Sequence, residues 1–203
     1  NTTFSRYSKV LAPSGMTGAE SARRVLEANG VTGVRIERIS GNLTDHFDPK
    51  TNTIRLSESV YDATTVSAVG VAAHEAGHAV QYAVGYAPMQ LRAAIIPATN
   101  IGSQLAMPLV LLGLIFSSAM LVDIGILAFS MSTLFQLVTL PVEFNASRRA
   151  VATLESSCVS DTEVKGAKAV LRAAALTYVA ALAVSLASLL RIILLFGNRN
   201  RRD

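Results

Sequence analysis

The sequence predicts a mainly α-helical membrane protein with a small α+β head that carries a β-hairpin, plus about three transmembrane helices. Two observations lead there. Of the 203 residues, 51% are apolar and only 16% are charged, against roughly 25% charged in soluble domains, and the mean hydropathy is +0.41. The charge is also uneven: residues 1–92 carry most of it, whereas 93–122, 124–142 and 173–190 contain no Asp, Glu, Lys or Arg. Those runs of 30, 19 and 18 residues approach or exceed the roughly 20 apolar residues that a helix needs to cross the hydrocarbon core. Read this way, the chain divides into a head at 1–92, a transmembrane helical hairpin at 93–142, a polar segment at 143–168 that returns to the head, and a third transmembrane helix with a basic tail at 169–203.

The elements follow in order. The first ten residues, "NTTFSRYSKV", lack an initiator Met and hold neither a signal-peptide core nor a spanning run, so a further segment upstream is expected. Residues 17–29 read as an amphipathic helix, because Thr17 and Glu20 form a capping box and Gly30 supplies a C-terminal stop. In "VTGVRIERIS", Val34, Ile36 and Ile39 nearly alternate with Arg35, Glu37 and Arg38, the pattern of a half-buried strand. "GNLTDHFDPKTNTIRLS" reads as a hairpin, with Asp48, Pro49, Lys50 and Asn52 as turn residues and Thr53, Ile54, Arg55 and Leu56 as the returning strand. A helix over about 64–84 follows a cap near Asp62 and Thr64, and Gly70 and Gly77 suit its Ala-rich face to close packing. Spanning helices are expected near 95–121 and 124–142, joined at Asp123, with Pro97, Pro108 and Pro141 in or at the ends of them. A third runs over 169–196 into "RNRRD".

Some function classes are disfavoured early. A single cysteine, Cys158, cannot form an intramolecular disulfide and reads as a free structural thiol. The net charge is +4, but the basic residues are scattered without the aromatic interleaving of single-strand nucleic-acid grooves. A lipid bilayer explains the positive balance more simply than a nucleic acid does.

The chemistry concentrates in "VAAHEAGHAVQYA", residues 71–83, where His74 and His78 stand four apart with Glu75 beside the first. On a helix residues four apart share a face, so the two imidazoles can converge on one cation. Glu75 is placed to take a proton from water activated by that cation, which is the zincin arrangement. The same carboxyl can then protonate the leaving amine. A catalytic zinc takes three protein ligands and keeps one open position, so a third must come from elsewhere: Glu143, Glu155, Asp161 and Glu163 are the acids available, with His46 as an imidazole alternative. Glu143 stands out because it ends a nearly charge-free run of 50 residues, with Pro141 just before it to disturb the helix. An interfacial acid paired with Arg148 or Arg149 is the other reading of the same residue.

"HEAGHAVQ", then "LPVEFNASRRA" with its glutamate 65 residues after His78, together with "DHFDPKTNTIRLSESVY" and the "SRYSKV…SGMTGAESARRVL" opening, resembles the YugP-like family of neutral zinc metallopeptidases of bacterial membranes. The resemblance covers nearly the entire chain. That family is similar in turn to the heat-shock membrane proteases and CaaX prenyl proteases, in which a glutamate in an E-x-x-x-D pattern completes the zinc site. The resemblance implies one zinc ion per chain, with His74, His78 and Glu143 as ligands and Glu75 as base. It departs from the wider pattern at Ser147, where those relatives have Asp as the group that orients a ligand; Ser147 or Asn145 would have to serve here. The family usually begins with a transmembrane helix, which fits the expected upstream segment.

In zincins an exposed edge strand upstream of the motif helix pairs with an extended substrate, and Thr53, Ile54, Arg55 and Leu56 are the candidates for it. His46, Arg148 and Arg149 are candidates to stabilise an oxyanion. Arg92, Arg148, Arg149, Lys165, Lys168 and Arg172 flank the helices on the side of the head, against Arg199, Arg201 and Arg202 beyond the third helix, which favours a cytoplasmic head on a multi-pass protein of the cell membrane. The expected activity is a membrane-embedded zinc endopeptidase acting on peptides or membrane proteins. The rival readings are a different zinc hydrolase and a non-catalytic scaffold or partner subunit of another membrane protein.

Overall fold

The computed structural model describes residues 2–157 and 159–196; Cys158 and the arginines Arg199, Arg201 and Arg202 of the basic tail lie outside the described residues. The described chain is mostly helical, with a three-stranded sheet near its start. The elements are α1 (Thr2–Tyr7), α2 (Gly18–Ala28), β1 (Arg35–Ile39), β2 (His46–Asp48), β3 (Thr53–Ser57), α3 (Glu58–Tyr61), α4 (Val66–Ala83), α5 (Ala87–Ile115), α6 (Ala119–Ser156) and α7 (Asp161–Phe196). They group into two compact units, Asn1–Tyr86 with Val142–Leu176, and Ala87–Pro141 with Thr177–Asp203.

In the first unit α2 begins where the sequence says it should. Thr17 Oγ1 accepts from Glu20 N at 3.2 Å and Glu20 Oε2 accepts from Thr17 N at 2.8 Å, so both halves of the capping box form. Gly30 adopts a φ of +67° just beyond the helix, the left-handed stop that glycine takes without strain. The apolar face of α2 packs on α4, and Ala22, Val25 and Leu26 of α2 and Val66, Val69, Ala72 and Ala73 of α4 are all buried. Ser21 Oγ donates to Val69 O across the two helices at 2.9 Å. Burying such Val and Leu side chains stabilises by about 1.5–3 kcal/mol each.

The hairpin forms as expected: β2 runs antiparallel to β3, with Phe47 opposite Ile54. Asp48 organises the turn, accepting from Lys50 N, Thr51 Oγ1 and Arg55 Nη1. The Arg55 and Thr51 hydrogen bonds hold its carboxyl well below the usual carboxylate range. The edge-strand expectation does not hold. The sheet order is β1-β3-β2, so Thr53, Ile54, Arg55 and Leu56 lie in the central strand, parallel to β1 on one side. Thr53, Ile54 and Leu56 are fully buried, as a central strand requires and an exposed edge does not. The outer strands are β1 and β2.

Helix α4 starts at Val66, capped by Thr65 Oγ1 on Ala68 N, rather than at Thr64 with Asp62. Its small residues do pack closely. A Cβ added at Gly70 would lie 3.3 Å from Cα of Ala167 in α7, and one at Gly77 would lie 2.5 Å from O of Ala146 in α6.

The second unit contains α5, the first part of α6 and the last part of α7. These three helices are long and apolar enough to cross a membrane by length and composition. The reversal between α5 and α6 falls at Phe116–Ser118, not at Asp123, which lies inside α6. Ser117 adopts a φ of +52°, and Ser118 N returns to Gly113 O at 2.8 Å, the six-to-one bond that closes a helix end. Pro97, Pro108 and Pro141 are accommodated within α5 and α6. The polar residues after Glu143 therefore continue α6 to Ser156, and α7 starts at Asp161, well before the apolar run begins. Hydropathy located the apolar stretches, but helices do not stop where polarity begins.

Candidate metal centre

His74 and His78 project from one face of α4, their ring centroids 4.6 Å apart and nearly perpendicular. Glu143, 3% exposed, meets them from α6. Nε2 of His74 lies 3.2 Å and Nε2 of His78 lies 3.6 Å from the same oxygen, Oε2 of Glu143. The three donor groups lie within 4.8 Å of one another. What allows this approach is Gly77, since any larger residue would press on the Ala146 carbonyl, one turn beyond Glu143. The glycine between the two histidines thus sets the distance at which α6 delivers its carboxylate.

Each imidazole is held from behind. His74 Nδ1 is 3.1 Å from Ser147 Oγ, and His78 Nδ1 is 3.0 Å from Gln81 Oε1. Gln81 is fully buried and donates from Nε2 to Val142 O at 2.8 Å and to Asn145 Oδ1 at 3.0 Å. Asn145 Oδ1 also accepts from Arg149 Nε at 2.9 Å. Burial works to lower the His78 pKa, but the adjoining Glu143 carboxylate and the charge of Glu75 favour the protonated ring more strongly, so it titrates above the ordinary histidine range. Glu75, half-buried on α4, is near enough for its charge to act on that ring.

The remaining candidates fall elsewhere. His46 is exposed on β2 with Nδ1 2.8 Å from Thr44 O. Arg148 is exposed. Glu155 pairs with Lys168 at 4.0 Å, Asp161 is exposed in the first turn of α7, and the fully buried Glu163 accepts from Ser14 N and Oγ. None of these joins the His74, His78 and Glu143 group. Gln81 had no role in the sequence reading. The available signal was a polar residue three positions after His78, on the same face of a helix otherwise rich in Ala and Val.

The donor set suits a divalent ion. Two imidazole nitrogens and one carboxylate oxygen are the ligands that zinc takes in hydrolytic sites, and ligand atoms roughly 2 Å from a tetrahedral centre lie about 3.3 Å apart, close to the separations from Glu143 Oε2. Three ligands leave a fourth position for solvent or substrate.

Comparison with known proteins agrees with this chemistry. No solved structure matches the chain. Over 196 residues it is 49% identical to the "Putative membrane protease YugP" of Bacillus subtilis (strain 168), an alignment that covers 96% of this chain and 87% of that protein. A family model described as "Putative neutral zinc metallopeptidase" matches residues 1–197, and the chain belongs to that family.

Proposed function

We propose that the protein is a membrane-embedded, zinc-dependent endopeptidase with a zincin-like head, in which His74, His78 and Glu143 hold one zinc ion and Glu75 is the general base. The observation that carries this reading is the convergence of both imidazole Nε2 atoms on one oxygen of Glu143. Zinc bound there would supply Lewis acidity toward a peptide carbonyl and make water a usable nucleophile at neutral pH. The chain's own residues supply the rest. Glu75 accepts the proton of the attacking water and delivers it to the departing amine, a role worth about 10²–10⁴-fold in rate. Ser147 orients the His74 ring. An extended substrate that joins the sheet would lie beside β1 or β2, whose outer edges are unpaired by other strands of the sheet.

The relative's description as a membrane protease and three helices of spanning length support a location in the cell membrane, and the family supports peptides or membrane proteins as substrates. The proposed division is a head over 1–92, a membrane hairpin over 93–142, a returning segment over 143–168 and a third membrane helix over 169–203. The basic residues that flank the helices near the head favour a cytoplasmic catalytic side. Glu75→Gln tests the reading directly. In detergent-solubilised protein the variant should keep its zinc and lose peptide hydrolysis by about 10²–10⁴-fold. Equal hydrolysis by both proteins would remove Glu75 as the base of a peptidase, and no hydrolysis by the wild type would leave the scaffold reading.

A further inference from the structure

Histidine binds a cation only through a nitrogen that carries no proton, so the tautomer of each ring matters as much as its position. For His78 the surrounding hydrogen bonds determine it. Arginine donates and never accepts, so the atom of Asn145 that faces Arg149 Nε at 2.9 Å must be the amide oxygen. That oxygen and the Val142 carbonyl both face the same end of the Gln81 amide, at 3.0 Å and 2.8 Å. An oxygen there would meet two acceptors with no hydrogen between them, so the NH₂ group occupies that end and both its hydrogens are engaged. The other end, Oε1, can only accept, and it lies 3.0 Å from His78 Nδ1. Nδ1 therefore carries a proton, and in the neutral ring Nε2 turns its lone pair toward the oxygen of Glu143, 3.6 Å away. Two acceptors facing each other in a buried site are reconciled by a positive charge between them, which a proton or a divalent cation can supply.

We infer that Gln81 is a positioning residue of the metal centre: anchored by Asn145 and Arg149 on α6, its buried amide locks His78 in the tautomer that presents Nε2 to a divalent cation. This rests on the metal-site reading above and extends it to residues with no contact to the cation. The lock belongs to one ligand only. His74 Nδ1 faces the hydroxyl of Ser147, which can either donate or accept, so that ring is steadied without being restricted to one tautomer. Gln81 is fully buried, so water cannot readily replace its amide, whereas the half-buried Ser147 is easier to substitute.

The test uses the full chain in detergent and measures zinc affinity by competition with a chelator. Gln81→Met, of similar volume, should bind zinc about 10–100-fold more weakly, the usual effect of removing an outer partner of a ligand. Ser147→Ala should lose less. Asn145→Asp, which keeps an acceptor for both Gln81 and Arg149, should retain most of the affinity that Asn145→Leu loses, a rescue that a purely packing role would not produce. Should Gln81→Met fail to fold, nitrogen-15 NMR of the zinc-loaded wild type gives the answer independently: His78 should carry its proton on Nδ1 and bind zinc through Nε2. Wild-type zinc affinity in a folded Gln81→Met variant, or coordination of His78 through Nδ1, would overturn the assignment while leaving the metal site standing. A wild-type protein that takes up no zinc would overturn both.

Discussion

Gly77 of α4 and Gly102 of α5 both let a helix approach an alanine of α6, yet the two contacts do different things. A Cβ at Gly77 would lie 2.5 Å from the Ala146 carbonyl oxygen, and one at Gly102 would lie 3.3 Å from that of Ala128. Beside Gly77 stand two imidazoles, a buried carboxylate and a buried amide joined by specific hydrogen bonds. Around the Gly102 contact, by contrast, α5 and α6 turn large side chains such as Ile101, Leu105, Ile124 and Leu127 outward, and close packing takes the place of the hydrophobic drive that lipid cannot supply. Among the described residues this second unit does contain a buried hydroxyl pair, Thr133 with Ser185 at 2.8 Å. The comparison teaches that one packing device serves two ends: in the first unit it sets the distance between the two imidazoles and the Glu143 carboxylate, and in the second it lets helices touch.

The largest effect should come from the carboxylate that this distance serves. Glu143→Ala should reduce zinc affinity by more than the roughly 100-fold expected for an outer partner and abolish hydrolysis, as read by metal analysis and a peptide assay. Undiminished zinc content would show that the convergence on Glu143 is only an ion pair. Next, Gly77→Ala should destabilise the protein by about 1–3 kcal/mol through overpacking against backbone and weaken zinc binding with it. Gly102→Ala should change stability little, because a mild contact is set against the gain of about 1 kcal/mol that alanine brings to a helix. Chemical denaturation of both variants in detergent, beside zinc titration, checks the contrast. The comparison fails if Gly102→Ala is the more damaging.

The smallest effect concerns pH. The folded pKa of His78 lies above its ordinary value of about 6.5. In the zinc-free protein the stability it contributes is therefore fully present below about 6.5 and lost as pH rises through the folded value. Zinc needs that ring free of its proton, so zinc stabilisation should grow over the same interval. Melting curves of zinc-free and zinc-loaded protein between about pH 5.5 and 8.5 should separate as pH rises. Parallel curves would deny His78 a place in the coupling.

Much of this molecule is legible from local signals. Thr17 and Glu20 announce α2 because a capping box needs only four consecutive residues, and Asp48 to Asn52 announce the β2–β3 turn for the same reason. His74 and His78 are legible because helical spacing alone puts them on one face. The central place of Thr53–Ser57 was not legible, since a buried strand and an edge strand differ in their neighbours and β1 arrives from 18 residues upstream in the register, Arg35 opposite Thr53. Asp123 misled because a charge in an apolar run suggests an end, whereas the reversal depends on the backbone of Ser117.

By itself, then, the order of residues determined which stretches become helices, which runs suit hydrocarbon, and that two imidazoles and a nearby carboxylate share one helical turn. All of those follow from interactions spanning a few residues. Only the folded chain decided that Glu143 reaches both rings, that Gln81 and Asn145 stand behind one of them, and that β3 is flanked on both sides. Those depend on how closely α6 approaches α4, a matter of packing between segments more than sixty residues apart, for which no local pattern carries the information.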